Sequence, residues 1–289
     1  MLWFKRQPDQ GKGVGGDAEV VTPTPLAIEL DARIFDSKFA VLLESFGEVG
    51  GIDPFLESLN AKSRVFQSLL NPAEIKSLDM DKVELLLETV MPARKRLWPA
   101  LQAMGAARTI DAVRELLYGK DELEERLSAF VDAVPDDPHA DKKTNKKLKR
   151  AAHDFGAELF HFRAPERYPL MTRWVWDKST LSGALRELMK GGDTLNSIPV
   201  GAEPGAYEAG RVWVAERLAE KGVYRDPHFV VDIFFAHAYA DYMRAMSSGM
   251  GLMNADFGAK NDPLEIVRKL LGIDEARRKD SRVKKATLH

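Results

Sequence analysis

Cysteine is absent from the 289 residues. That excludes thiol nucleophiles, disulfide scaffolds, thiolate-held iron–sulfur clusters and Cys-type zinc sites together. Long apolar runs are also missing. A membrane-spanning helix needs roughly 18 or more apolar residues, and the longest candidate, Phe229 to Tyr242, is interrupted by Asp232, His237 and Asp241. Neither sign of charge dominates: 42 basic against 44 acidic residues leave a net charge of −2. No global field therefore draws nucleic acid or anionic lipid, and any such partner must meet a local patch. At the N-terminus, Met1-Leu2-Trp3-Phe4 runs straight into Lys5 and Arg6, too short for a signal-peptide core. These absences predict a cytoplasmic protein that makes no use of a membrane.

Alternating strand patterns bounded by hairpin turns are scarce, and no repeat of fixed period stands out. What is present is helix after helix, and the 45% hydrophobic content suffices for a core without metal or disulfide. Ile34, Phe39, Leu42, Leu43 and Phe46 fall at helical spacing and stop at Gly47 and Gly50-Gly51. Asp53-Pro54 and Asn71-Pro72 each read as a cap followed by a helix-opening proline. Val83 to Val90 continues the pattern, then Leu97 to Met104. Thr109 reads as the cap of a helix reaching Tyr118, with Gly119 as its stop. Leu123, Leu127, Phe130 and Val131 mark one more. Beyond Pro135, helices are expected at about 145–162, 171–188, 206–221, 227–248 and 263–271, with glycine-rich loops at 191–205 and 249–262.

The class this implies is all-α, a multi-helix globular bundle. Residues 1–25 read as a flexible N-terminal arm. Its Gly11-Lys12-Gly13-Val14-Gly15-Gly16 run lacks the flanking strand and helix of a phosphate-binding loop. A helical domain over 26–134 is expected to join a second, over 148–272, through a basic linker at 135–147. A charged tail over 273–289 follows.

Three polar patterns bear on function. Glu158-x-x-His161 has the spacing at which one helical face can grip a metal, but no second copy of the motif exists. At about 100° per residue, Lys147, Arg150, Asp154, Glu158 and His161 fall in one stripe opposite Leu148, Ala152, Phe155, Leu159 and Phe162. That arrangement predicts a solvated, ion-paired face. In the apolar segment 229–242, His237, Asp241 and Arg244 share a side. A carboxylate one turn from an imidazole can orient it for general-base or metal chemistry, with His153 or His161 as possible further ligands, or can simply satisfy a buried histidine. The third pattern is cationic: Lys142, Lys143, Lys146, Lys147 and Arg150, then Arg163, Arg167 and Arg173 among Tyr168, Trp174 and Trp176. Such residues suit phosphates and unpaired bases.

The corner His161–Leu170 resembles a helix-to-helix corner of helix–hairpin–helix DNA-glycosylase-like folds. That resemblance implies an Asp near the start of the next helix, and Met171-Thr172-Arg173 supplies none. The glycine-rich loop after the last long helix carries Met250, Leu252, Met253 and Phe257 as a candidate partner-docking surface, since methionine adapts to irregular partners. No catalytic set is complete and no cofactor is implied. The expected function is therefore a non-catalytic accessory or adaptor protein that docks on another protein. A nucleic-acid-binding protein using 142–176, and an enzyme or metal protein centred on His237 and Asp241, are the alternatives.

Overall fold

A helix begins where a side chain can satisfy its first amides, and Asp31 does this for α1 (Ala32–Gly47) by accepting from the Arg33 and Ile34 N–H groups. The apolar face it opens, Phe35, Phe39, Leu42 and Phe46, is buried, and Gly50 and Gly51 (φ +85° and +106°) end the turn in a backbone region that L side chains avoid. A computed structural model describes residues 19–192, 194–249 and 262–274 of the chain. α2 (Asp53–Leu70) carries Pro54 in its first turn, but Ile52 occupies the cap position and Asp53 lies inside the helix. Asn71 accepts from the Ala73 and Glu74 amides to open a short 3-10 turn. Then come α3 (Met80–Glu88), α4 (Met91–Arg94), α5 (Leu97–Met104), α6 (Ala106–Tyr118) and α7 (Leu123–Ala133). Thr109 is no cap: α6 begins three residues earlier, and the fully buried Thr109 hydroxyl donates to the Leu101 carbonyl.

The segment 135–141 turns tightly into α8 (Lys142–Arg163), whose cap is Asp141. Asn145 exchanges two hydrogen bonds with the backbone of Asp137. Lys149 donates to the Val131 and Val134 carbonyls at the C-terminal end of α7, where the helix dipole favours a cation. α8 packs against α2, α4, α5, α6 and α7. It approaches α7 so closely that a Cβ on Gly156 would lie 2.7 Å from Leu127. One hydrophobic cluster runs from Val21 to Ile273 with no break at 135–147.

The helix expected at 171–188 does not form. After α8 the chain doubles back on itself: the Ala184 and Leu185 amides donate to the Trp174 and Val175 carbonyls, and Asp177 and Ser182 bond each other. Leu181 (φ +49°) and Gly183 (φ +127°) make the reversal, and a Cβ on Gly183 would sit 2.6 Å from the Val175 oxygen. Trp176 Nε1–H donates to the Gly201 carbonyl at 2.7 Å and the Tyr207 hydroxyl to the Trp176 carbonyl at 2.8 Å. The helix-to-helix corner expected at His161–Leu170 is therefore absent too, because no helix follows it.

Across this region runs a strap, residues 19–31. Val21 bonds Arg167, Thr24 bonds Gly205 and Leu30 pairs with Met189. α9 (Pro204–Glu220), α10 (Pro227–Gly249) and α11 (Pro263–Leu270) complete the all-α architecture. Among the described residues no sheet forms, only two isolated bridges, and no helix is long and apolar enough to cross a membrane.

Candidate functional site

α8 carries most of the chemistry-bearing residues, and its two ends have opposite environments. From Asp154 onward the expected solvated stripe is overturned: Asp154, Glu158 and His161 are 1%, 1% and 0% exposed. The reason is that each meets a partner from a distant segment. Asp154 accepts from the Arg173 amide (3.0 Å), Nε (3.1 Å) and Nη2 (2.9 Å). Glu158 Oε2 lies 2.7 Å from Lys62 Nζ, itself buried in α2. Lys62 also donates to the Thr89 and Leu271 carbonyls (3.1 and 2.9 Å), so three protons meet three acceptors. Thr89 and Leu271 are the C-terminal caps of α3 and α11. One ammonium therefore sits at the negative end of two helix dipoles, 3.9 Å from the centre of the Phe162 ring.

Burial pushes the Glu158 carboxyl up to about 6, against the pull of Lys62, and pushes the Lys62 amine down. Glu158 Oε1 has no hydrogen-bond partner among the described residues, which leaves the carboxylate half satisfied. His161 places Nδ1 2.9 Å from the Tyr168 carbonyl and Nε2 2.8 Å from Asp232 Oδ2 on α10. Both ring nitrogens therefore have an oxygen partner within the core. Glu158 and His161 thus turn to different partners. Among the described residues no group of three His, Asp or Glu is placed to hold a metal.

His237, Asp241 and Arg244 do share a side of α10. His237 is 1% exposed, with Nδ1 3.6 Å from Asp241 Oδ2 and Nε2 3.2 Å from the Ser45 hydroxyl of α1. Burial lowers the imidazole's proton affinity and Asp241 opposes that. Arg244 stands 3.8 Å from Asp241. Ser45, invisible as a partner in the sequence, gives His237 a hydrogen bond at the α1–α10 contact. Five residues separate His237 from Asp232, about 140° around the helix, so the two histidine sites do not converge.

The cationic region divides. Lys142, Lys143, Lys146 and Lys147 are exposed on the first turns of α8, and none forms an ion pair with another described residue. Arg150 is half-buried and donates to the Ser179 hydroxyl at 2.7 Å. Arg163 is buried, 4.9 and 5.7 Å from the Tyr118 and Tyr168 rings, and the half-buried Arg173 is held by Asp154. Arg167, also half-buried, offers its carbonyl to the strap. Tyr168, Trp174 and Trp176 are core residues. Met250, Leu252, Met253 and Phe257 lie outside the described residues.

Sequence reasoning missed a groove of about 390 Å³ between α5 and the start of α8. Pro99, Ala100, Ala103, Pro135, Pro138 and Leu148 line it, with exposed Asp136, Asp137 and Arg96 beside them. Its walls come from three separated stretches, and the only local signal was Pro135-Asp136-Asp137-Pro138. A second recess of about 440 Å³ brings Asp81, Glu84 and Gln102 near Trp98, without histidine or nucleophile. Comparisons with protein-family models, with curated proteins and with solved structures found no match to this chain.

Proposed function

We propose that the chain is a non-catalytic helical accessory protein that docks on another polypeptide, and that the groove between α5 and α8 is its docking site. One observation carries the reading: each of the buried ionisable groups Lys62, Asp154, Glu158, His161 and Asp232 is turned to another of them, to Arg173 or to a backbone carbonyl, with Glu158 Oε1 alone among their polar atoms left over, while the groove offers a mostly apolar lining. Its three prolines have restricted backbones, so little freedom is lost when a partner is seated. The occupant we infer is a segment of another protein presenting apolar side chains next to a lysine or arginine. Asp137 supplies the complementary charge, beside Asp136, which stands 3.7 Å from Lys149.

Selection of a displayed 12-residue peptide library on the full chain tests this. The expected winners combine apolar residues with a neighbouring cation and lose binding to A103W, which fills the groove from an exposed position. A selection that yields no enriched sequence, or winners indifferent to A103W, overturns the reading.

A further inference from the structure

On the side of α8 away from the groove, Lys143, Lys146, Lys147 and Arg150 recur at spacings of three and four and so form one stripe. Thr144, Asn145 and Leu148, which line the groove, face the other way. The stripe is electrostatically unfavourable where it stands. It sets like charges at i,i+3 and i,i+4, and it places them in the first turns of a helix, where the dipole is positive. The surroundings offer little relief. Lys143, Lys146 and Lys147 have no ion-pair partner among the described residues. Asp141, whose carboxyl is held low by its hydrogen bonds to Thr144 and by the charge of Lys147, is committed to capping the helix. Arg150 is held in place by Ser179, so the inner end of the stripe is pre-set.

We propose that this stripe binds the phosphate backbone of double-stranded nucleic acid without reading sequence. Its eight residues, seven steps, cover about 10 Å of helix axis, which is about three steps of roughly 3.4 Å along one strand and so matches four phosphates. Single-stranded binders stack bases on exposed aromatics, and here Tyr168, Trp174 and Trp176 are buried. A membrane surface is disfavoured because none of the exposed large hydrophobic residues lies on α8, leaving nothing on this helix to insert into lipid.

Fluorescence anisotropy of an end-labelled 20-base-pair DNA against the full chain is the test, with the same single strand and vesicles of phosphatidylserine and phosphatidylcholine in parallel. Four cations predict a slope of about −3.6 in log affinity against log salt, a loss of about 150-fold between 50 and 200 mM. Each single lysine-to-glutamine change at 143, 146 or 147 should lower that slope by about 0.9. The K143E/K146E/K147E chain, altered only at exposed positions, should keep its helical spectrum and lose binding. A103W should bind duplex as the unaltered chain does, which separates this proposal from groove docking. Absence of duplex binding at 50 mM salt overturns it. So does affinity unmoved by the triple reversal, or tighter binding to the single strand or to vesicles than to duplex.

Discussion

The two halves of α8 carry ionisable residues at the same helical spacing and place them in opposite environments. In the first turns, Lys142 to Lys147 are exposed and carry one sign of charge without ion-pair partners. From Asp154 to His161 the ionisable groups are sealed in the core, and each is matched by a group far away in sequence: Lys62, Arg173 or Asp232. A helical projection treats both halves alike. What separates them is whether other helices cover that face. An acid deep in a helix that finds a lysine from another helix becomes part of the fold. A lysine that no other helix covers stays at the surface.

The largest effect that would break this comparison is expected at the Lys62–Glu158 pair. K62M leaves a buried carboxylate without its cation and two helix ends without their donor, and should cost roughly 3–5 kcal/mol of unfolding free energy. A loss under about 1 kcal/mol in urea titration would return Glu158 to the class of solvated surface acids.

Next in size is a pH effect. The Glu158 proton is held more tightly in the folded chain, since burial raises the group from its ordinary 4.5 to about 6. Its contribution to stability is therefore fully present below pH 4.5 and is lost as the pH rises through about 6, a change of about 2 kcal/mol. The difference in stability between the unaltered chain and E158Q, followed from pH 4.5 to 6.5, should show that fall. A flat difference, or one that grows with pH, would mean that the carboxyl is not buried as described.

A comparable effect whose sign is diagnostic concerns the doubled-back segment. In a helix at 171–188, G183A would stabilise by about 0.5–1 kcal/mol. At φ +127° with a backbone oxygen 2.6 Å from the new Cβ, it should instead destabilise by at least about 1 kcal/mol. Thermal unfolding decides between them. The smallest change belongs to the exposed end: K143E puts an acid at the positive end of α8 and should stabilise by about 0.3–1 kcal/mol. Destabilisation of that size would show that Lys143 already has a role within the fold.

These contrasts also mark what the sequence could show. Helix class and most helix positions were legible, because apolar spacing and devices such as the first-turn Pro54 and the Asn71 side chain act locally, though the caps expected at Asp53 and Thr109 were not found there. The region after α8 misled because Leu170, Trp174, Leu181, Leu185 and Leu188 keep a helical rhythm. Contacts from Gly201 and Tyr207 override that rhythm, and only Gly183 and the Asp177–Ser179 turn hinted at a reversal. The His237–Asp241 pairing could be read from i,i+4 spacing alone, but Ser45 could not. Nor could the groove, which exists only after α5 and α8 have packed.

The most direct test of the division within α8 is a double-mutant cycle on Lys62 and Glu158, measured by urea unfolding of the unaltered chain, K62M, E158L and the double variant. The paired-core account predicts that the double variant recovers much of what K62M loses, with a coupling of at least about 2 kcal/mol. A coupling below about 0.5 kcal/mol, the range of exposed ion pairs, would contradict it.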